Sequence, residues 1–132
     1  MTPSLLEHIK NDDMENVKEI VEKNPEIINE VDEYSISPLM YAVSAYNKPN
    51  IEMVKYLLEK RANVNYKNRA GVTPLHYAMG NKKDNNIIKL LIYYGADVYA
   101  INDIGGTVEH YGKLWENKEG LDIIREYKAT SL

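Results

Sequence analysis

The sequence predicts an all-α solenoid, a stack of similar helical units, and two observations carry that expectation. The first is self-similarity at a near-constant period. Ser37-Pro38-Leu39-Met40-Tyr41-Ala42, Thr73-Pro74-Leu75-His76-Tyr77-Ala78 and Thr107-Val108-Glu109-His110-Tyr111-Gly112 are copies of one hexapeptide, 36 and 34 residues apart. A period in that range marks stacked repeats rather than one closed core. The second is apolar spacing: Val17/Ile20/Val21, Val54/Leu57/Leu58 and Ile87/Leu90/Leu91 each form one stripe of a helix. A single helix pair cannot bury such a stripe, so neighbouring units must stack to cover it.

The segments after the hexapeptides repeat as well. Glu52-Met53-Val54-Lys55-Tyr56-Leu57-Leu58 leads to Arg61-Ala62-Asn63-Val64-Asn65, and Asn86-Ile87-Ile88-Lys89-Leu90-Leu91-Ile92 leads to Gly95-Ala96-Asp97-Val98-Tyr99. With the hexapeptide, these segments make the chain resemble the ankyrin repeat family over essentially its whole length. The resemblance implies helix-turn-helix units joined by β-hairpin-like turns. The two long periods carry three and one residues beyond the usual repeat of about 33. The extra residues fall between paired helices, at Tyr46 to Asn50 and Lys82 to Asn85, where loops absorb insertions at little cost.

Taken in order, the elements form one domain over 1–132, with a capping unit at 1–33, units at 34–66 and 67–101, and a second capping unit at 102–132. Ser4-Leu5-Leu6-Glu7 has capping-box spacing for the first helix, and Glu15 to Val21 aligns with Glu52 to Leu58. Pro38 and Pro74 suit the first helical position, where a missing N–H is harmless. Small residues at Ala42, Ala78 and Gly112 let the short inner helices approach closely. Gly71 and Gly105 fit the turn linking successive units, and Ser35 takes that place in the first turn. Gly95 is expected to end its helix in the left-handed conformation; Arg61 stands at the equivalent position. In the last unit, Glu109 replaces Leu39 and Leu75, and Arg125 replaces Leu58 and Ile92. Polar residues in these apolar columns keep a final unit with no successor soluble.

Composition narrows the function. The net charge of −4 argues against nucleic-acid binding, which needs a basic patch. Charge is uneven: residues 1–33 carry 10 acidic and 3 basic side chains, residues 34–132 carry 10 and 13. No cysteine is present, which removes thiolate catalysis and Cys-ligated zinc. The sequence has no signal-peptide pattern and no membrane-spanning run, so a cytoplasmic protein is expected, or one in a host cytosol if delivered there. His76 and His110 occupy the position where the family's histidine resembles a hydrogen-bonding tie between turns, and Met40 replaces it one unit earlier. No carboxylate cluster accompanies them as a metal site would need, and no phosphate loop or nucleophile motif appears. No enzyme activity, cofactor or metal is expected.

The resemblance implies a non-catalytic module that binds another protein in a concave groove, lined by hairpin tips and inner helices. By register, the hairpins supply Glu33, Tyr34 and Ile36, then Arg69, Ala70 and Val72, then Asp103, Ile104 and Gly106. The inner helices supply Ser44 and Ala45, Gly80 and Asn81, and Leu114 and Trp115. Tyr41, Tyr77 and Tyr111 form one column with hydroxyls expected toward the groove, either binding or packing as scaffold. Trp115, the only tryptophan, is either the main anchor or the plug of the C-terminal cap. Arg69 is the central polar candidate, and the Tyr46-Asn47-Lys48-Pro49 and Lys82-Lys83-Asp84 loops are a second contact region. The partner is expected to be another protein, neither nucleic acid nor membrane, with the chain monomeric by itself. A self-assembling structural subunit and a regulatory subunit of an enzyme are the alternatives.

Overall fold

The computed structural model describes residues 4–44 and 48–130. Among these, eight α-helices follow one another: α1 (Leu5–Lys10), α2 (Met14–Lys23), α3 (Pro38–Val43), α4 (Ile51–Glu59), α5 (Pro74–Ala78), α6 (Asn86–Tyr93), α7 (Val108–Leu114) and α8 (Lys118–Thr130). A 3-10 turn over Pro25–Asn29 follows α2. Odd-numbered helices are short and even-numbered ones longer. Each odd helix packs on its following partner. The inner helices α1, α3, α5 and α7 pack in succession, as do the outer helices α4, α6 and α8.

Helix starts are set by local chemistry. Ser37, Thr73 and Thr107 are the N-caps of α3, α5 and α7, each accepting the backbone N–H three residues on. Pro38 and Pro74 open their helices as the sequence predicts. Ser4 caps α1 through the Glu7 N–H, the first half of the expected capping box. In α5 and α7 the box is completed by histidine: His76 Nδ1 accepts the Thr73 N–H at 3.0 Å, and His110 Nδ1 accepts the Thr107 N–H at 3.1 Å.

The stripes close on one another. Val17, Val21, Val54, Leu57, Leu58, Ile87 and Leu91 are buried in a single continuous core with Leu39, Met53, Leu75, Met79, Ile88, Val108, Leu121 and Ile124. Ile20 and Leu90 lie partly buried at its edge. Gly112 fits the small-residue column tightly, since a Cβ there would come 2.7 Å from Met79 Cε and 2.8 Å from Leu121 Cδ2.

Between units the turns are narrow hairpin-like loops with no continuous strand among the described residues; one isolated antiparallel bridge joins Ile101 and Thr107. Each loop closes with a backbone pair: Asp32 N–H to Ile36 O, Asn68 N–H to Val72 O, and Asn102 N–H to Gly106 O. Ser35 (φ +65°), Gly71 (φ +76°) and Gly105 (φ +83°) hold the left-handed position in these loops. Ser35 tolerates it beside a hydroxyl contact, 2.7 Å from Tyr66 at the end of the same unit. Gly95 (φ +95°) is left-handed after its outer helix as expected, and Arg61 (φ +71°) at the equivalent position shares that conformation.

Polar ties lock successive units in register. Asn29 accepts the Asn63 N–H and donates to Arg61 O, and one unit later Asn65 accepts the Asp97 N–H and donates to Gly95 O. The Asp103 N–H donates to Ala70 O between adjacent hairpins at 2.9 Å. At the far end Glu109 meets Lys128 at 2.7 Å and Arg125 at 3.7 Å. The two polar intrusions into the apolar columns thus neutralise each other across the last unit.

Candidate functional site

The three hairpins are built alike. Asp32, Asn68 and Asn102 each use one side-chain oxygen to accept two backbone N–H groups of their own loop: Tyr34 and Ile36, Ala70 and Val72, Ile104 and Gly106. The second polar atom of each reaches the tyrosine nine residues on. Asn68 Nδ2 donates to the Tyr77 hydroxyl at 3.0 Å and Asn102 Nδ2 to the Tyr111 hydroxyl at 3.1 Å. In the first hairpin the polarity reverses, and the Tyr41 hydroxyl donates to the Asp32 carboxylate. Sequence reasoning passed over this column, although Asp32, Asn68 and Asn102 stand at one register, five residues before each capping Ser or Thr.

These bonds correct the expected direction of the tyrosine hydroxyls. They turn to the hairpins and brace them against the inner helices, and the rings are half-buried. Burial, followed by the Asp32 hydrogen bond and charge, pushes the Tyr41 phenol up to about 12. Burial also pushes the Asp32 carboxyl upward, but hydrogen bonds from Tyr41, Ile36 and Tyr34 outweigh it and hold the group below its ordinary value. The Lys10 ammonium lies 4.3 Å from the centre of the Tyr41 ring. Tyr111 meets His76 edge-on, ring centres 4.8 Å apart.

His76 ties one unit to the next. Because Nδ1 accepts from the Thr73 backbone, Nε2 carries the proton and donates to Gly106 O at 3.1 Å. Burial lowers the basicity of this imidazole, outweighing the Gly106 hydrogen bond, with nearby Lys67 adding to the depression.

Three residues assigned to the groove by register, Val72, Asn81 and Ser44, lie inside the protein. Val72 is 7% exposed, and Asn81 is 3% exposed. Val72 closes its hairpin, its carbonyl accepting the Asn68 N–H and its own N–H donating to Asn68 Oδ1. Asn81 donates to Val43 O and Ser44 O of the preceding unit, satisfying carbonyls left over at the end of α3. Ser44 is likewise buried, and Ala45, Tyr46 and Asn47 lie outside the described residues.

The other candidates reach the surface. Glu33, Arg69 and Asp103 are exposed at successive hairpins, with Ile36 half-buried behind them. Tyr34 is 70% exposed, Ile104 93% and Leu114 75%. Trp115 is 45% exposed and lies over Gly80, whose Cβ position is 3.4 Å from the indole Nε1 and Cε2. The pyrrole side of the indole therefore lies against the end of the preceding inner helix, and the side chain stays partly exposed. Lys48, Lys82 and Lys83 are exposed on the loops beyond α3 and α5. No group of three His, Asp or Glu side chains among the described residues is arranged to hold a metal ion.

Comparison with known proteins matches this architecture. The family model for ankyrin repeats, in three copies, covers residues 5–102. The chain belongs to the ankyrin repeat family. The α7–α8 unit lies beyond that match and continues the stack with a divergent sequence. The chain is 31% identical over 127 residues to mouse protein phosphatase 1 regulatory subunit 27, covering 96% of this chain and 77% of that protein. It is 34% identical over 94 residues to the ankyrin repeat and LEM domain-containing protein 1 homolog of Caenorhabditis elegans, covering 70% of this chain. It is also 34% identical over 100 residues to human transient receptor potential cation channel subfamily A member 1, covering 75% of this chain. The chain spans only 12% and 9% of the length of the latter two proteins. No helix among the described residues is long and apolar enough to cross a membrane.

Proposed function

We propose that this chain is a non-catalytic interaction module that holds a protein partner on its concave face. Ankyrin repeats are general protein-interaction modules, and the finer reading rests on one observation. Tyr34, Ile104, Leu114 and Trp115 are large apolar side chains exposed along the hairpin and inner-helix side, on a scaffold whose tyrosine hydroxyls are already engaged. Singly exposed apolar residues are ordinary, whereas apolar residues sharing one rigid face suit the core of an interface. Glu33, Arg69 and Asp103 supply the polar rim, and Ile36, Tyr41, Tyr77 and Tyr111 support the floor. Val72 and Asn81 belong to the scaffold and are not part of this surface. A standard interface would bury about 800 Å² on this side.

The test is capture of partners from cell lysates by the wild type and by an Arg69→Glu/Leu114→Ser variant, both changes being at exposed positions. A partner held by the wild type and released by the folded variant supports the groove. Equal retention moves the contact to another face.

A regulatory subunit of an enzyme is the second reading. It is favoured by the similarity, over nearly the whole chain, to a protein named as a phosphatase regulatory subunit. Co-purification of a phosphatase activity in the same capture, absent from the variant, would select it.

A further inference from the structure

Charge is distributed unevenly between the units. Residues 34–101, the two central units, carry nine basic and four acidic side chains, against three and ten in residues 1–33. Three of these cations, with Lys10 of the first unit and Lys113 of the last, lie along one edge, at or just beyond the C-terminal ends of the inner helices. Lys10 ends α1 and stands over Tyr41. Lys48 follows α3 and lines the same depression as Lys10, together with Asp12, Asn50 and Met53. Lys82 and Lys83 follow α5, and Lys113 lies in the last turn of α7.

All five lysines are exposed. The acidic groups between them are partly committed: Asp12 accepts from Asn50 Nδ2, and Asp84 accepts the Asn86 N–H. Glu116, exposed beyond α7, is a further acidic residue at this edge. Neither Lys82, Lys83 nor Arg69 takes part in an ion pair among the described residues. Across the tyrosine floor, Arg69 stands at the central hairpin, and Ile104, Leu114 and Trp115 close the C-terminal end of the face with apolar surface.

We infer that the partner presents an acidic segment carrying a large apolar side chain, its carboxylates along the Lys10–Lys48–Lys82–Lys83 edge and its apolar group on Trp115 and Leu114. This rests on the groove reading above and gives its occupant a chemistry. Like charges set against that edge would repel a basic segment, so the arrangement selects against the wrong partner as well as for the right one. The apolar anchor supplies the buried centre that a purely electrostatic contact lacks.

Trp115 is the only tryptophan, so its emission reports occupancy of the apolar end directly. The probes are a tryptophan-free octapeptide, acetyl-Glu-Glu-Leu-Glu-Glu-Leu-Glu-Glu-amide, and the same peptide with lysine at every glutamate. A thymidine oligonucleotide serves as an unrelated polyanion. The acidic peptide is expected to shift Trp115 emission to the blue, saturably, with affinity falling as salt rises. Lys82→Glu/Lys83→Glu should weaken it about ten-fold, and Lys48→Glu provides an independent reversal. The lysine peptide should leave the emission unchanged.

Equal binding by the lysine peptide, or indifference to both charge reversals in folded variants, overturns the acidic chemistry and leaves the groove standing. An oligonucleotide that binds more tightly than the acidic peptide overturns it in favour of nucleic acid. If neither peptide moves Trp115, this inference fails, and the capture experiment decides separately whether the groove binds at all.

Discussion

Gly71 and Gly105 occupy the same place in successive hairpins, yet replacing each with alanine should have unequal cost. Both sit at positive φ, +76° and +83°, so an added Cβ costs each about 1–2 kcal/mol. At Gly105 that is the whole effect, because nothing lies within 4 Å of the new methyl group. At Gly71 the methyl would meet Asp103 Oδ1 at 2.5 Å, the Asp103 backbone N at 2.9 Å and Asn102 Cα at 3.2 Å. The carboxylate can swing aside. The backbone cannot retreat without opening the Asp103 N–H to Ala70 O bond that joins the hairpins, and such overpacking adds about 1–3 kcal/mol. Gly71→Ala should therefore lose about 2–5 kcal/mol and Gly105→Ala about 1–2. For a chain of this length each kcal/mol moves the melting temperature by about 4 °C. Urea unfolding followed by far-ultraviolet circular dichroism and by Trp115 fluorescence gives both free energies and tests whether the transition is two-state. Equal losses for the two variants would refute the argument, since they would mean that the neighbouring hairpin does not press on Gly71.

Arg61→Gly relieves the same strain at φ +71° and keeps the Arg61 carbonyl that Asn29 binds, so it should raise the melting temperature by about 4 °C; an unchanged or lower value would reveal a contact of the arginine side chain. The depressed basicity of His76 means that the unfolded chain takes up a proton that the folded one refuses. Stability from this residue is then full above the ordinary value of 6.5 and declines as pH falls through it. His76→Gln should be less stable at pH 7 but lack that slope between pH 7 and 5, and an unaltered slope in chemical denaturation would assign it elsewhere. Glu109→Leu restores the apolar residue of the other units and abandons Arg125 and Lys128. Its unfolding free energy should stay within about 1 kcal/mol of wild type, while sedimentation should show concentration-dependent association through the uncovered end; a strict monomer would refute the capping role.

The repeat architecture was legible because its signals are local. Three hexapeptide copies, Pro38 and Pro74 at helix starts, and Gly71, Gly95 and Gly105 at left-handed turns each act within a few residues of chain. Alignment put Arg61 at a glycine position, and the structure shows it left-handed there. The candidate surface was only partly legible. Register put Val72 and Asn81 beside Arg69 and Trp115, but register gives an angular position on a unit and not the depth to which the next unit covers it.

Sequence alone determined the repeat class and the faces the helices must bury, because helical spacing and backbone chirality act on the chain before it packs. The tertiary structure decided where the polar atoms go. The Asn81 amide reaches carbonyls of the preceding unit, His76 donates to Gly106, and Glu109 finds Arg125 and Lys128. The tyrosine hydroxyls turn to Asp32, Asn68 and Asn102. Such partners lie up to 38 residues apart in the chain, and only stacking brings them within hydrogen-bond distance. A buried polar group must be satisfied by whatever the neighbouring unit offers.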